Sequence, residues 1–519
     1  MLLIHPPVAK PCEPPAGIGR LAGVLRGHGL PCTLLDANLE ALYFLLSSPL
    51  TPTDTWSRRA CRNLTVNLDA IKTAATYDNM DRYKRAVADV NRVLEKSGAA
   101  RDLFLSLTNY QESSLSPLRS DDLLRSAEQP EKNIFYNYFA GRLLKLIAEE
   151  QPAMIGFSLN YLNQAVCTFA MAGFIKKHAP GLPIVMGGGL VTSWLRNPDW
   201  HNPFAGLVDH LVAGPGEAFL VDLLGGKTEN NHHVPTFDGL PLADYLAPGF
   251  ILPYAASSGC YWNKCAFCPE MAEANPFLPI PADLALDDIH RLAARNGPVL
   301  LHLLDNAVSP ALMQALIARP TGVNWYGFAR ITPRLTDIDF CRTLRRSGCV
   351  MLKLGIESGD QGVLDAMNKG IDLREASLAL SALQQAGIAT YVYLLFGTPA
   401  ESPVEARRTM DFVVKHCEAV SFLNLAVFNM PVCSRESRTL AVNDFYEGDL
   451  TLYTDFVHPR GWHRRAVRQF LDREFKSQPA IKTILKRDPP YFTSNHAPFF
   501  LSGAKKHGKR QRAKGKSEI

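Results

Sequence analysis

Residues 257–270 read SSGCYWNKCAFCPE and place three cysteines, Cys260, Cys265 and Cys268, within nine residues. Thiolates this close together are soft metal ligands, which select zinc, copper(I) or iron–sulfur clusters. Structural zinc takes four protein ligands, often as two separated pairs. His302 is the nearest plausible fourth ligand. Three cysteines without a second pair suit instead a [4Fe-4S] cube in which the protein holds three irons and leaves the fourth open.

The cysteine stretch follows the first strand of a series in which strands and helices alternate. Six segments predict buried strands, namely LPYAASS, VLLHLLD, VNWYGFAR, VMLKLGIE, ATYVYLLF and VSFLNLAVF. A complete eightfold barrel needs about 250 residues, whereas this series takes about 180. We therefore expect a partial, open (β/α)6 barrel of the TIM type, with the cysteines on its active face, the C-terminal ends of the strands.

An earlier alternating series precedes the barrel and predicts a doubly wound, Rossmann-like parallel sheet, so that the chain as a whole is α/β. Ligands of such sheets bind at the C-terminal ends of the strands. The turns MGGG (186–189) and GPGE (214–217) are therefore candidate ligand contacts. Residues 51–135 break the alternation and predict a mostly helical insertion.

These patterns predict the organisation of the whole chain. The predicted parts are a Rossmann-like domain at 1–228 with its insertion at 51–135, a linker at 229–250, the barrel at 251–440, a C-terminal extension at 441–500 and a basic disordered tail at 501–519.

Composition narrows the class of protein. The chain has 519 residues, 47% of them hydrophobic and 20% charged, which is typical of a soluble protein with two or three domains. Eleven cysteines, an odd number, without a signal peptide predict a reducing, cytoplasmic location. No apolar run approaches the roughly 18 to 20 residues that a membrane span needs. The net charge of +5 resides in the tail, so nucleic acid is not the expected partner.

With Phe267 directly before its third cysteine, the stretch CAFC on a partial barrel resembles the radical S-adenosylmethionine superfamily. The resemblance implies that Cys260, Cys265 and Cys268 hold a [4Fe-4S] cluster whose open iron binds S-adenosylmethionine. One electron then cleaves this cofactor to methionine and a 5'-deoxyadenosyl radical. The usual spacing in the family is three residues and then two, whereas here it is four and then two. The extra residue predicts a loop that bulges around Tyr261 to Lys264.

Two further segments resemble the third and fourth strands of that family. The segment LGIESGDQGVLDAMNKG (354–370) implies that Glu357 and Ser358 help to hold S-adenosylmethionine. The segment WYGFARI implies that Arg330 meets the cofactor carboxylate or balances Glu357.

The segments at the second and fifth strands also take their expected order. HLLDNA stands where the second strand would meet the cofactor's amino group, which assigns Asp305 or Asn306 to that contact. YVYLLFGTPAES resembles the fifth-strand segment and implies that Gly397, Thr398 and Pro399 line the adenine pocket. The family pattern assigns no further catalytic residue.

The order of domains resembles the subgroup whose N-terminal domain is of the cobalamin-binding type. The Asp-x-His-x-x-Gly signature is absent, because Asp209 and His210 are adjacent in VDHLVAG. Whether this domain binds cobalamin therefore stays open. If it does, the turns MGGG and GPGE are the expected backbone contacts. With cobalamin the resemblance implies a methyltransferase, and without it a rearrangement or another hydrogen abstraction. A reductant such as flavodoxin or ferredoxin would supply the electron, and the substrate is not specified.

Two alternatives stay open at this point. The cysteines could hold structural zinc in a protein that binds nucleic acid through its basic tail. They could also hold a cluster that only carries electrons and does not react with S-adenosylmethionine.

Overall fold

The computed structural model describes residues 1–99, 101–227, 232–443, 447–490 and 496–501. Two compact units divide the chain: unit 1 comprises Met1–Thr73, Asp81–Ala247 and Asp444–Thr454, and unit 2 comprises Ala74–Met80, Pro248–Asn443 and Asp455–Ile519. The basic tail predicted at 501–519 lies outside the described residues, apart from Leu501. None of the helices described is both long enough and apolar enough to cross a membrane.

Unit 1 is built on a parallel sheet of five short strands. In chain order, the strands of this unit are β1 (Leu2–His5), β2 (Thr33–Asp36), β3 (Leu103–Leu105), β4 (Tyr110–Glu112), β5 (Ile155–Ser158), β6 (Ile184–Gly187) and β7 (His210–Leu211). The sheet has the order β2-β1-β5-β6-β7, with all neighbours parallel. Strands β3 and β4 form a separate antiparallel hairpin within the segment 51–135.

Helices connect these strands. They are α1 (Ala16–Gly27), α2 (Ala37–Ser47), α3 (Thr55–Arg62), α4 (Leu64–Ile71), α5 (Met80–Ala99), α6 (Ser120–Glu128), α7 (Tyr136–Glu150), α8 (Leu162–His178), α9 (Gly189–Arg196) and α10 (Glu217–Leu223). Helix α1 packs against α10, and α8 packs against α6 and α7. Because α8 is apolar on nearly all sides and buried along most of its length, it forms the centre of this core.

Unit 2 is built on a six-stranded parallel sheet. Its strands are β8 (Ile251–Tyr254), β9 (Ser257–Ser258), β10 (Leu278–Pro279), β11 (Leu300–Leu303), β12 (Trp325–Ala329), β13 (Cys349–Glu357), β14 (Ala389–Phe396), β15 (Phe422–Val427), β16 (Met430–Pro431), β17 (Val442–Asn443) and β18 (Tyr453–Phe456). The large sheet has the order β8-β11-β12-β13-β14-β15, which is the order of the strands along the chain.

Helices lie between the strands of this sheet as well, and the last two helices follow its last strand. They are α11 (Pro269–Ala272), α12 (Ala282–Asn296), α13 (Pro310–Ala318), α14 (Ile338–Arg346), α15 (Gln361–Ala366), α16 (Leu373–Ala386), α17 (Pro403–Lys415), α18 (Arg464–Phe470) and α19 (Pro479–Leu485). Six parallel strands in sequential order with helical crossovers are the arrangement of a partial barrel. The predicted fold class is confirmed: an α/β chain with a doubly wound sheet followed by a partial (β/α)6 barrel.

Local sequence signals fix the turns that carry the candidate site. Helix α15 begins where the side chain of Asp360 accepts a hydrogen bond from the amide of Val363. Helix α17 begins with a capping box formed by Ser402 and Glu405. Because such caps satisfy amide groups that the first turn of a helix leaves without partners, they define where the loops after β13 and β14 end.

Candidate functional site

The cysteine loop follows the short strand β9, at the C-terminal side of β8. Gly259 has a φ of 72°, and a Cβ atom there would lie 2.3 Å from the carbonyl oxygen of Pro276, so this turn requires glycine. Asn263 has a φ of 42°. It lies inside the stretch where the extra residue predicts a bulge, and the left-handed backbone there turns the loop.

The thiol of Cys265 lies within electrostatic reach of the other two thiols. Burial raises the pKa of Cys265, which the nearby Lys369 and Arg330 lower and Cys260 raises further. Burial also raises the pKa of Cys268 to about 11, while the backbone amides of Glu270 and Met271 donate to its sulfur and lower it. Cations and amide donors stabilise thiolates, the form that ligates metals. The donor set therefore fits an anionic iron–sulfur cluster.

Glu357 lies at the C-terminal end of β13 and forms an ion pair with Lys369. Lys369 Nζ is 2.8 Å from Glu357 Oε1, and the two side chains are only 8% and 12% exposed. Glu357 has a φ of 67°, and the pairing of β13 with β14 shifts register between Gly355 and Glu357. A left-handed glutamate at a strand end is strained and occurs where neighbouring contacts hold it, often at a functional site.

Arg330 follows β12 and contacts the cysteine loop. Glu357 forms its ion pair with Lys369 and not with Arg330. Arg330 Nη1 lies 4.0 Å from Cys265 Sγ, and Nη2 donates to the carbonyl oxygen of Lys369 at 2.5 Å. The structure thus brings Cys265, Arg330, Glu357 and Lys369 together at one end of the barrel.

Asp305 is buried and tied to the start of the cysteine loop. It accepts hydrogen bonds from the hydroxyl of Ser257 at 2.5 Å and from the amide of Ala256 at 3.1 Å, and it is 2% exposed. Burial raises its pKa, and these two groups lower it. The carboxylate oxygens of Asp305 therefore hold the start of the cysteine loop. Asn306, the other candidate for the amino-group contact, is exposed.

Ser358 has no exposed surface. Its hydroxyl lies 3.2 Å from that of Thr409 and accepts the amide hydrogen of Asp360 at 3.1 Å. With the side chain engaged in the loop after β13, a contact of Ser358 with a cofactor would use its backbone.

The loop after β14 contains a buried glutamate that the sequence reading did not assign. The amide of Gly397, whose φ is 79°, donates to Glu401 Oε2 at 2.5 Å, and the indole of Trp462 donates to the same oxygen at 2.8 Å. Burial raises the pKa of Glu401 to about 7. The carbonyl oxygen of Thr398 lies 2.9 Å from His458 Nε2. The Gly397 amide is therefore already hydrogen-bonded within the protein, whereas the Thr398 carbonyl oxygen keeps a second lone pair for a further donor.

Phe267 packs in a small apolar cluster next to the loop. Its partners are Phe428, Met430 and Phe456, which are buried, and Leu395 and Leu440, which are partly buried. Lys369 Nζ lies 5.4 Å from the centre of the Phe267 ring. The partly buried ring of Phe267 therefore places an apolar group directly before Cys268.

His302, the expected fourth ligand of a structural zinc site, makes contacts with other side chains. Among the described residues, no three His, Cys, Asp or Glu side chains surround a position for a single metal ion. His302 is buried, with Nε2 3.0 Å from Lys353 Nζ and its ring stacked on Tyr326.

Unit 1 has a cavity of about 170 Å³ between α1 and α10, against the sheet. Both glycine turns predicted as ligand contacts reach it, together with apolar strand residues. The lining includes Gly17, Arg20, Ser158, Gly187, Gly188, Gly214, Gly216 and Glu217. An ion pair joins Arg20 and Glu217 across the two helices. The volume and the glycine lining fit one flat ring or polar arm of a cobalamin, and not the whole corrin.

Asp209 and His210 lie outside this cavity lining. Asp209 accepts hydrogen bonds from Lys176 at 2.8 Å and from the amide of Ile184 at 2.7 Å, and its pKa is lowered even though burial alone would raise it. The ring of His210 packs on Phe219. Both side chains therefore make contacts away from the cavity.

Sequence reasoning missed three residues of the barrel site, Lys369, Trp262 and Glu401. Lys369 stands twelve positions after Glu357 in the quoted segment MNKG, so a basic residue behind the acidic one was a signal that could have been used. Trp262 lies inside the four-residue gap between the first two cysteines. No local pattern marks Glu401 as buried.

Comparisons with known proteins agree with this architecture. An uncharacterized methyltransferase of Pyrococcus horikoshii is 22% identical over 313 residues, which cover 53% of this chain and 66% of the relative. The bacteriochlorophyllide d C-12(1)-methyltransferase of Chlorobaculum tepidum is 28% identical over 223 residues, which cover 38% of this chain and 48% of the relative. The alignments thus span from about half to just under two thirds of these relatives. No protein-family model matches the chain.

A solved structure extends the likeness to both units. The cobalamin-dependent S-adenosylmethionine radical enzyme OxsB, solved with aqua-cobalamin and S-adenosylmethionine bound, superposes with a TM-score of 0.57 at 14% identity. The match covers 91% of this chain and 66% of that one. In its fold the chain is similar to this enzyme over both units, and in its sequence it is similar to the two methyltransferases over part of its length.

Proposed function

We propose that the protein is a radical S-adenosylmethionine enzyme and that it acts as a cobalamin-dependent methyltransferase. The observation that carries the proposal is the convergence of Cys265, Arg330, Glu357 and Lys369 at the C-terminal end of the barrel strands. The cysteine loop would hold a [4Fe-4S] cluster through Cys260, Cys265 and Cys268. When bound, that cluster supplies the electron for reductive cleavage of S-adenosylmethionine.

The residues of this chain would prepare the site in three ways. Arg330 and Lys369 offset the negative charge of the thiolates and of Glu357. The carboxylate of Glu357, held in a strained backbone conformation, offers an acceptor to the ammonium or hydroxyl groups of the cofactor. Phe267, among its apolar partners, places an apolar group directly before Cys268.

The methyltransferase part of the proposal is supported by unit 1 and by the two curated relatives. The cavity between α1 and α10 is lined by the glycine turns at 186–189 and 214–217. Glycine allows a ligand to approach the backbone closely. We propose that this cavity receives part of a cobalamin without a histidine from an Asp-x-His-x-x-Gly motif, since Asp209 and His210 are engaged elsewhere.

Anaerobic reconstitution tests the cofactor assignment. The protein should take up about four iron and four sulfide per chain, and the electron paramagnetic resonance spectrum of the reduced protein should change when S-adenosylmethionine is added. Added hydroxocobalamin should give a bound corrinoid absorbance spectrum. Zinc in place of iron would contradict the proposal, and a cluster whose spectrum ignores S-adenosylmethionine would favour an electron carrier.

A further inference from the structure

Trp262, in the four-residue gap between Cys260 and Cys265, is packed against the turn that carries Lys369. Its indole nitrogen donates a hydrogen bond to the carbonyl oxygen of Asn368 at 3.1 Å. The ring occupies space that only glycine leaves open, because a Cβ atom on Gly370 would lie 2.1 Å from it. This tryptophan therefore docks the cysteine loop onto residues 368–370.

The guanidinium of Arg330 is stacked on the same ring. Arg330 Cζ lies 4.0 Å from the centre of the Trp262 ring, a distance at which a cation and an aromatic face attract each other. Arg330 Nη2 also donates to the carbonyl oxygen of Gly370 at 3.3 Å, in addition to that of Lys369. One side chain thus joins the end of β12, the turn and the cysteine loop.

Backbone geometry supports the same contact. The amide of Ala266 donates to the carbonyl oxygen of Met367 at 2.9 Å. Asn368 and Gly370 have φ values of 52° and 64°, so their carbonyl groups are set by a left-handed turn. With one residue more than the usual spacing, the loop has the length to place Trp262 on that turn while Cys265 stays beside Arg330.

We propose that Trp262, Arg330 and Gly370 form a clamp that orders the cysteine loop before any cluster is present and holds a positive charge at the sulfur of Cys265. The second part of this statement rests on the proposed function. A cation beside a ligating sulfur stabilises the reduced, more negative state, so the clamp should raise the reduction potential of a cluster bound there. Trp262 is then a positioning residue.

Alkylation of the metal-free protein tests the clamp without any cluster. In Trp262→Leu, iodoacetamide should modify Cys265 about tenfold faster than in the wild type, as read by mass spectrometry of the peptide, because the loop opens more often. Trp262→Phe, which keeps an aromatic face, should stay within about threefold of the wild type. The matched control is Trp56→Leu, which removes a tryptophan stacked on Arg92 in unit 1 and should leave the rate at Cys265 unchanged.

Redox titration of the reconstituted protein tests the charge. Arg330→Gln should shift the midpoint potential to a more negative value, and Arg330→Lys should restore part of that shift. Equal alkylation rates in Trp262→Leu and the wild type would overturn the clamp, whether or not a cluster binds. An unchanged potential in Arg330→Gln would overturn its electrostatic role. If the wild type binds no cluster, the proposed function fails, while the alkylation rates still decide whether the clamp exists.

Discussion

Lys369 is the residue on which the charge balance of the barrel site depends. Its ammonium group faces Glu357 at 2.8 Å, where both side chains are largely shielded from water. Removing one member of such a pair leaves the other charge buried without compensation, which costs about 3 kcal/mol or more. The space is tight as well, since a Cβ atom on Gly355 would lie 2.5 Å from Glu357 Oε1 and 2.8 Å from Lys369 Nζ.

We therefore expect Lys369→Met to lower the local stability of β13 by about 3 kcal/mol, measured by native-state hydrogen exchange of its amides. The double variant Lys369→Met with Glu357→Gln should lower the stability of β13 by at least about 1 kcal/mol less than the sum of the losses in the two single variants. Lys415→Met, on the exposed end of α17, serves as the control and should leave β13 unaffected. If the stability losses of the two single variants simply add in the double variant, a direct ion pair between Lys369 and Glu357 is contradicted.

At this scale the sequence predicted residue types better than residue contacts. Arg330 and Glu357 could be chosen because each ends a strand in a segment that resembles the family. The sequence does not decide whether Arg330 pairs with Glu357 or with the cysteine loop. The turn at 367–370 decides it, because in the folded chain Lys369 pairs with Glu357 and its carbonyl oxygen accepts from Arg330. The same applies to Ser358 and Asp305, whose buried partners lie on other elements.

The loop between β14 and α17 is the element in which a titrating group is buried. Glu401 has no exposed surface, and its Oε1 atom has no hydrogen-bond partner among the described residues. The nearby carboxylates of Glu405 and Asp360 raise its pKa further, while the Gly397 amide and the Trp462 indole lower it. Arg460 pairs with Glu405, and His458, whose pKa burial lowers, contacts Thr398 in the same loop.

Since the pKa of Glu401 is about 7 in the folded protein against an ordinary 4.5, its protonated form favours folding. That contribution is fully present below about pH 4.5 and is lost as the pH rises through about 7. Between pH 4.5 and 8, the free energy of unfolding of the wild type should fall by about 3 kcal/mol relative to that of Glu401→Gln. Urea unfolding at each pH measures it. The exposed control Glu418→Gln should follow the wild type, and parallel curves for wild type and Glu401→Gln would contradict this account.

Among the elements, the six barrel strands and the main helices could be predicted because each is a buried apolar run or an amphipathic repeat. The hairpin of β3 and β4 was not predicted, since its strands are only three residues long and lie between helices. Strand β7 has only two residues and lies at the sheet edge, where it has a neighbour on one side only.

At the scale of the whole molecule, we expect the two units to bind separate cofactors. Gly17→Leu places a bulky side chain on α1 at the cavity wall, where an added Cβ atom would lie 3.3 Å from Ser158 Oγ. We expect it to weaken hydroxocobalamin binding by about tenfold or more, because a filled pocket excludes the ligand, measured by absorbance titration. Gly141→Leu, a helical glycine with open space around it, is the matched control.

Cleavage of S-adenosylmethionine should survive in Gly17→Leu, because the cysteine loop lies in unit 2. Loss of cluster binding together with corrinoid binding would contradict separate sites. The two parallel sheets were accessible from the sequence, since each has its own alternating series. The cavity was predicted only as two glycine turns, because its other wall comes from α1, which is distant in sequence.

The central claim is that the cysteine loop supports reductive cleavage of S-adenosylmethionine. Its most direct test is the amount of 5'-deoxyadenosine formed by the reconstituted protein under anaerobic conditions with dithionite, quantified by mass spectrometry. Wild type and the control Cys417→Ser should form it, and Cys265→Ala should form none above background. A wild-type protein that carries a full cluster and releases no 5'-deoxyadenosine would contradict the claim.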